Sequence, residues 1–139
     1  MQTLEIEDIE HKREHLWTCI ENCQECYEST TQCIMHCLGR GGEFASPERI
    51  CLLMDCAEIC RLSADFMLRG SLLHNFTCGA CSKICEHCAT DCEASAPDDE
   101  HMRLCAAACR RCADSCHQMA AHHSPIKEAH EVERSQRPL

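Results

Sequence analysis

Cysteines recur along this chain at alternating steps of four and three. In the first run they stand at Cys19, Cys23, Cys26, Cys33 and Cys37, and with Thr30 filling the gap the intervals are four, three, four, three and four. The pattern returns as Cys78, Cys81, Cys85, Cys88 and Cys92, and again as Cys105, Cys109, Cys112 and Cys116, the last run extending to Met102 on one side and Met119 on the other. Such steps average about 3.5 residues, the repeat of inward positions in an antiparallel helical bundle. A thinner seam carries Leu53, Cys56, Cys60, Ser63 and Met67. Cys51 stands five residues before Cys56, off that face, and is expected at a helix end or pointing elsewhere.

Composition makes these seams indispensable. Only 23 of the 139 residues are Leu, Ile, Phe or Val, and 23 acidic against 13 basic side chains leave a net charge of −10. Those two figures alone would predict a disordered chain. The apolar content nevertheless reaches 45%, because 17 cysteines are part of it, so a folded form must use cysteine as its core. An acidic chain with one Trp, one Tyr and three Phe offers nucleic acid neither a basic footprint nor stacking platforms. No stretch approaches the roughly 20 apolar residues of a membrane span, and the start, Met1-Gln2-Thr3-Leu4-Glu5-Ile6-Glu7-Asp8, lacks the basic and apolar regions of a secretory signal. A cytoplasmic location is therefore expected. In that reducing compartment a cysteine pattern points to metal more often than to disulfides, and an odd count forbids complete internal pairing.

Turn and capping residues divide the chain into four helices of roughly 20 to 25 residues. Gly39-Arg40-Gly41-Gly42 ends the first, Ser46-Pro47-Glu48 starts the second, and Gly70-Ser71 separates the second from the third. Ala94 to Glu100 separates the third from the fourth and places acids at the new N-terminus. The expected fold is all-α, an antiparallel up-down-up-down four-helix bundle over residues 1–123 with an N-terminal helical extension, followed by a charged tail over 124–139 that contains His130.

Cysteines four apart on a helix have Cβ atoms about 5 to 6 Å apart, which strains a disulfide but suits a metal held between two sulfurs. Soft thiolates select Cu(I), zinc or iron-sulfur clusters. One Cu(I) per thiolate leaves the core uncharged, whereas four thiolates around each Zn(II) leave about two negative charges per site. No Lys or Arg lies on the seams to offset them, so many Cu(I) ions bridged by shared thiolates are favoured. Iron-sulfur ligand spacings are missing, and a di-iron carboxylate bundle would need inward Glu-x-x-His pairs where cysteines stand. Any single buried cysteine could be a small hydrophobe, but packing gives no reason for cysteine at so many seam positions. Two other uses stay open: a zinc or cadmium buffer in the manner of a metallothionein, and a redox-active thiol reservoir, although the latter should show activated cysteines beside cations.

The runs Cys19-x3-Cys23-x2-Cys26, Cys33-x3-Cys37, Asp55-Cys56-Ala57-Glu58-Ile59-Cys60, Cys78-x2-Cys81-x3-Cys85-x2-Cys88-x3-Cys92 and Cys105-x3-Cys109-x2-Cys112-x3-Cys116 resemble the cytosolic four-helix-bundle copper storage proteins over roughly residues 16 to 120. That resemblance implies a non-enzymatic store of multiple Cu(I) ions per chain, held by the seam cysteines with Cys51 counted as a further candidate ligand, in a homotetramer. Thr30, Ser63 and Met67 occupy seam places where a cysteine could have stood.

Antiparallel alternation places Cys37, Cys92 and Cys105 at one mouth of the bundle, with Met35, His36, Met54, His101 and Met102 nearby. His101, just before the fourth seam, resembles the family's mouth histidine; with His36 and Met102 it is expected to admit Cu(I) and pass it inward. The opposite end gathers Leu16, Trp17, Phe66, Leu72, Leu73 and Phe76, expected as a hydrophobic plug, while Met67, His74 and Met119 form a seam layer there.

Overall fold

The structure is a computed structural model and describes residues 2–122, with side chains over 9–121. Four helices follow one another: α1 over Gln2–Arg40, α2 over Pro47–Leu68, α3 over His74–Ser95 and α4 over Glu100–His122, with a short 3-10 turn at Gly42–Ala45 between the first two. The tail over 124–139, with His123 and His130, lies outside the described residues.

Helices α2, α3 and α4 have the expected lengths of 22, 22 and 23 residues, but α1 runs for 39. The reason is an absence of breakers, since neither Gly nor Pro occurs before Gly39. The excess is N-terminal: residues 9–14 are exposed and the first buried side chain is Cys19.

Each boundary has a local cause. Gly41 takes φ +69° and donates its N–H to the Cys37 carbonyl at 3.0 Å, stopping α1 in the left-handed conformation that glycine adopts at little cost. Ser46 caps α2, its hydroxyl accepting from the Arg49 N–H, and Pro47 takes the first helical position. Gly70, at φ +67°, ends α2. Asp99 caps α4 by accepting the Met102 N–H at 2.9 Å.

The helices pack in a ring: α1 on α2, α2 on α3, α3 on α4 and α4 back on α1, with the backbones of the diagonal pairs kept apart. Sulfur fills the diagonals. Cys26 on α1 lies 4.0 Å from Cys85 on α3, while Cys56 and Cys60 on α2 lie 3.8 Å from Cys109 and Cys112 on α4. Between α3 and α4 the small residues Ala89, Ala106 and Ala113 are buried, and the Ser82 hydroxyl donates to the Ala113 carbonyl at 2.9 Å. Ile20 and Leu53 are the only branched aliphatic side chains in the buried core of the described residues, where cysteines take most of the seam positions. No helix among the described residues is long and apolar enough to cross a membrane.

Candidate metal store

Sixteen of the 17 cysteines are buried, the same sixteen that stand on the seams, and all 17 are free thiols. Helix α1 supplies Cys19, Cys23, Cys26, Cys33 and Cys37; α2 supplies Cys56 and Cys60; α3 supplies Cys78, Cys81, Cys85, Cys88 and Cys92; and α4 supplies Cys105, Cys109, Cys112 and Cys116. Thr30 interrupts the α1 seam harmlessly, because its hydroxyl donates to the Cys26 carbonyl at 2.7 Å.

The sulfurs form a continuous column. At the end where α2 turns into α3, the sulfurs of Cys19, Cys78 and Cys116 lie within 4.8 Å of one another. Next come the groups Cys23, Cys81, Cys112, Cys116 and Cys60, Cys81, Cys85, Cys112, then Cys26, Cys56, Cys60, Cys85. Cys33, Cys92 and Cys105 form the group nearest the mouth. From Cys19 to Cys56 each group shares members with the next, which is the arrangement bridging thiolates require. Contacts between sulfurs run from 3.5 Å for Cys23 and Cys116 to 4.0 Å for Cys26 and Cys85. With metal–sulfur bonds of about 2.3 Å, trigonal and tetrahedral thiolate sites have edges of about 3.8 to 4.0 Å. Even on one helix, Cys81 and Cys85 reach 3.8 Å, and Cys112 and Cys116 3.9 Å.

Nothing buried among the described residues carries a compensating positive charge; the buried polar side chains are Thr30, Ser63, Thr77 and Ser82. Ten of the sixteen buried thiols are pushed toward their protonated form. Burial, reinforced by the neighbouring Cys33, pushes Cys37 up to about 12. Hydrogen bonding with Cys112 pushes Cys60 and Cys116 far up, and Cys105 does the same for Cys92, with burial adding to each. Exchanging a thiol proton for a monovalent soft cation leaves the charge of such a core unchanged.

Cys51 is corrected: it is exposed, 4.0 Å from an Asp55 carboxylate oxygen, and is no part of the column. Five residues turn a helix by about 140° past the seam, so Leu53 fills the seam place instead.

At the mouth, Met102 is buried and its sulfur accepts from Cys33 at 3.5 Å and Cys37 at 3.7 Å. The His36 Nε2–H donates to Asp99 Oδ2 at 2.9 Å, Arg40 approaches the same oxygen at 3.4 Å, and the exposed His101 ring stacks on His36 at 4.0 Å. Against the desolvation that would raise it, the Met102 N–H and the His36 ring hold the Asp99 carboxyl below its ordinary range. Asp99 is the mouth residue sequence reasoning missed, although its place three residues before Met102 is a capping signal. Met35 and Met54 point outward, 66% and 47% exposed.

The hydrophobic plug also needs correction. Trp17, Leu72, Leu73 and Phe76 are exposed and only Leu16 and Phe66 are half-buried. The far end is closed instead by Met67 and Met119, with Cys78 donating to the Met67 sulfur at 3.7 Å. His74 turns to its own loop, Nδ1–H donating to the Ser71 carbonyl.

Residues 12–121 match the family described as copper storage protein. Among solved structures, a protein of Nitrosospira multiformis is 40% identical with a TM-score of 0.73, covering 78% of this chain and 97% of that one. The Cu(I)-bound copper storage protein BsCsp3 is 34% identical, with a TM-score of 0.71 and coverage of 76% and 98%. A cytosolic copper storage protein from Streptomyces lividans, carrying five coppers, is 31% identical, with a TM-score of 0.68 and coverage of 78% and 94%. No curated protein matches the chain. A cysteine-filled bundle, together with likenesses that span more than three quarters of its length, places the chain in the copper storage protein family.

Proposed function

We propose that this chain stores Cu(I) on its sixteen buried cysteines, holding the ions away from solvent and releasing them to ligands that compete for them. The observation that carries the reading is the shared-sulfur column without any buried cation. Divalent zinc at four thiolates per site would leave about two uncompensated negative charges at each position in that core. The role is storage, and no residue is assigned a catalytic part. Met102, His36 and His101 are proposed as the ligands that admit Cu(I) at the mouth. The working location is the cytosol, where the Streptomyces lividans relative is placed.

A homotetramer is proposed as the assembly, supported by the exposed apolar side chains Trp17, Leu72 and Phe76. Light scattering on the purified chain should give four times the 15.7 kDa of one copy; a monomer mass would remove the tetramer without touching the store.

Anaerobic titration of the reduced protein with Cu(I) against a strong chelator tests the central reading. Saturation near sixteen ions per chain is expected, one for each buried thiol. Saturation at about four divalent ions, with Cu(I) held no tighter than by the competitor, would replace copper storage with a zinc buffer.

A further inference from the structure

Two store thiols floor a groove in the side of the bundle, just below the mouth. Between α1 and α4 lies a cavity of about 150 Å³ whose lining includes Cys33 and Cys105, with Ser29 and Gln32 on one wall and His101 and Leu104 on the other. Both cysteines belong to the mouth-end group with Cys92, and each keeps 1% of its surface exposed. The volume is roughly five times that of a water molecule in the liquid, which is room for a metal ion together with a thiol the size of cysteine. An ion pair crosses the two helices at the groove: Arg111 on α4 donates to Glu25 on α1 at 2.7 Å. Both side chains are about half exposed, so the pair can open at small cost.

Resting on the storage reading, we propose that this groove is a lateral port, at which a small thiolate complex of Cu(I) exchanges its ion directly with Cys33 or Cys105. The exchange balances without any oxidant or reductant. A bond forms between Cu(I) and Sγ, the bond between Cu(I) and the carrier sulfur breaks, and the cysteine proton leaves on the carrier thiol. Copper stays monovalent throughout, and the core gains no charge. His101 stands on the rim of this groove and also stacks on His36 at the axial mouth, so one residue serves both openings.

The port can be narrowed or widened without touching the axial mouth. Ser29 lies eleven residues, roughly 16 Å, before the end of α1. Ser29→Phe fills the groove, and Arg111→Ala removes the crossing ion pair. Stopped-flow uptake from an anaerobic Cu(I)–cysteine complex, with final copper per chain measured separately, reads both. Filling should slow the first ions severalfold and opening should speed them about twofold, each with wild-type final loading. Wild-type rates in both variants would overturn the port. If Ser29→Phe loses its helical circular dichroism, the Arg111→Ala rate decides alone, since an unchanged rate there is equally fatal. Low final loading of the wild-type protein would instead be a failure of the storage reading, whatever the rates.

Discussion

The two ends of the sulfur column are built alike and finished differently. Each ends in buried methionine: Met102 accepts from Cys33 and Cys37 at the mouth, and Met67 accepts from Cys78 at the far end beside Met119. Beyond Met102, however, stands a polar cluster in which Asp99 joins His36, Arg40 and the start of α4, with His101 stacked outside. At the far end no such cluster backs Met67: one turn inward a hydroxyl stands in place of a thiol, Ser63 lying 3.3 Å from Cys78, and His74 bonds to its own loop. A soft thioether alone closes a column; a thioether backed by histidines offers an ion a graded path from water to thiolate. On the proposed function, that difference puts traffic at one end and storage depth at the other.

Matched truncations break the comparison most forcefully. Met102→Ala and Met67→Ala each remove a fully buried side chain, and each should cost the metal-free protein about 2 to 5 kcal/mol in a denaturant melt. Equal stability losses make uptake the discriminating measurement. The double variant His101→Ala, Met102→Ala should take up Cu(I) about tenfold more slowly, a loss of the size seen when groups supporting a metal site are removed, while Met67→Ala keeps the wild-type rate. An unchanged rate in the double variant sinks the mouth assignment, and slowed uptake in Met67→Ala would put traffic at the far end too.

Loading itself exchanges protons for copper at both ends. Cys37 at the mouth is pushed up to about 12 and Cys116 at the far end still higher, so both thiols are protonated at neutral pH before metal arrives. Each Cu(I) bound at such a thiol should then release about one proton, and affinity there should fall about tenfold per unit drop in pH. A pH-stat titration releasing far fewer protons than copper ions bound would mean that the empty core already holds thiolates.

Adding a ligand sharpens the contrast from the other side. Ser63→Cys extends the far-end group by one thiol beside Cys78, and saturation should rise by one Cu(I) per chain, with an overpacking penalty of about 1 kcal/mol. Cys51→Ser should leave saturation unchanged, because that thiol lies outside the column. A loss of one ion in Cys51→Ser would restore it as a ligand.

Seam membership was legible in the sequence because period fixes it. What chain position alone could not show was facing. Trp17, Met35, Met54 and Phe76 were placed at bundle ends by their order in the chain, yet each stands two residues before a seam cysteine, namely Cys19, Cys37, Cys56 and Cys78. Two residues turn a helix by about 200°, and all four side chains face outward. His36 and His101, one residue before Cys37 and Met102, sit on the flank, where they can touch both the column and water. The N-terminal extension of α1 rests on a weaker signal: before Cys19 no seam residue marks the helix, and only the lack of Gly and Pro lets it continue. The groove between α1 and α4 depends on the approach of two helices far apart in sequence, which periodicity within either one does not encode.

Asp99 has the smallest expected effect and separates two jobs the mouth assigns to one carboxylate. As a cap it accepts the Met102 N–H, and as an ion-pair partner it holds His36 and Arg40. Asp99→Ala loses both and should destabilise the protein by about 1 kcal/mol. Asp99→Asn keeps an acceptor for the cap and loses the charge, so its cost should be smaller. The carboxyl is held below its ordinary range in the folded protein, so its charge stabilises the fold at pH values above the unfolded carboxyl near 3.9 and ceases to do so as pH falls through the lowered value. Wild type and Asp99→Asn should therefore differ in melting temperature at neutral pH and converge in acid, while Asp99→Ala stays below both. A constant gap between wild type and Asp99→Asn down to the lowest pH would show that the carboxylate charge contributes nothing at this mouth and that its part is the cap alone.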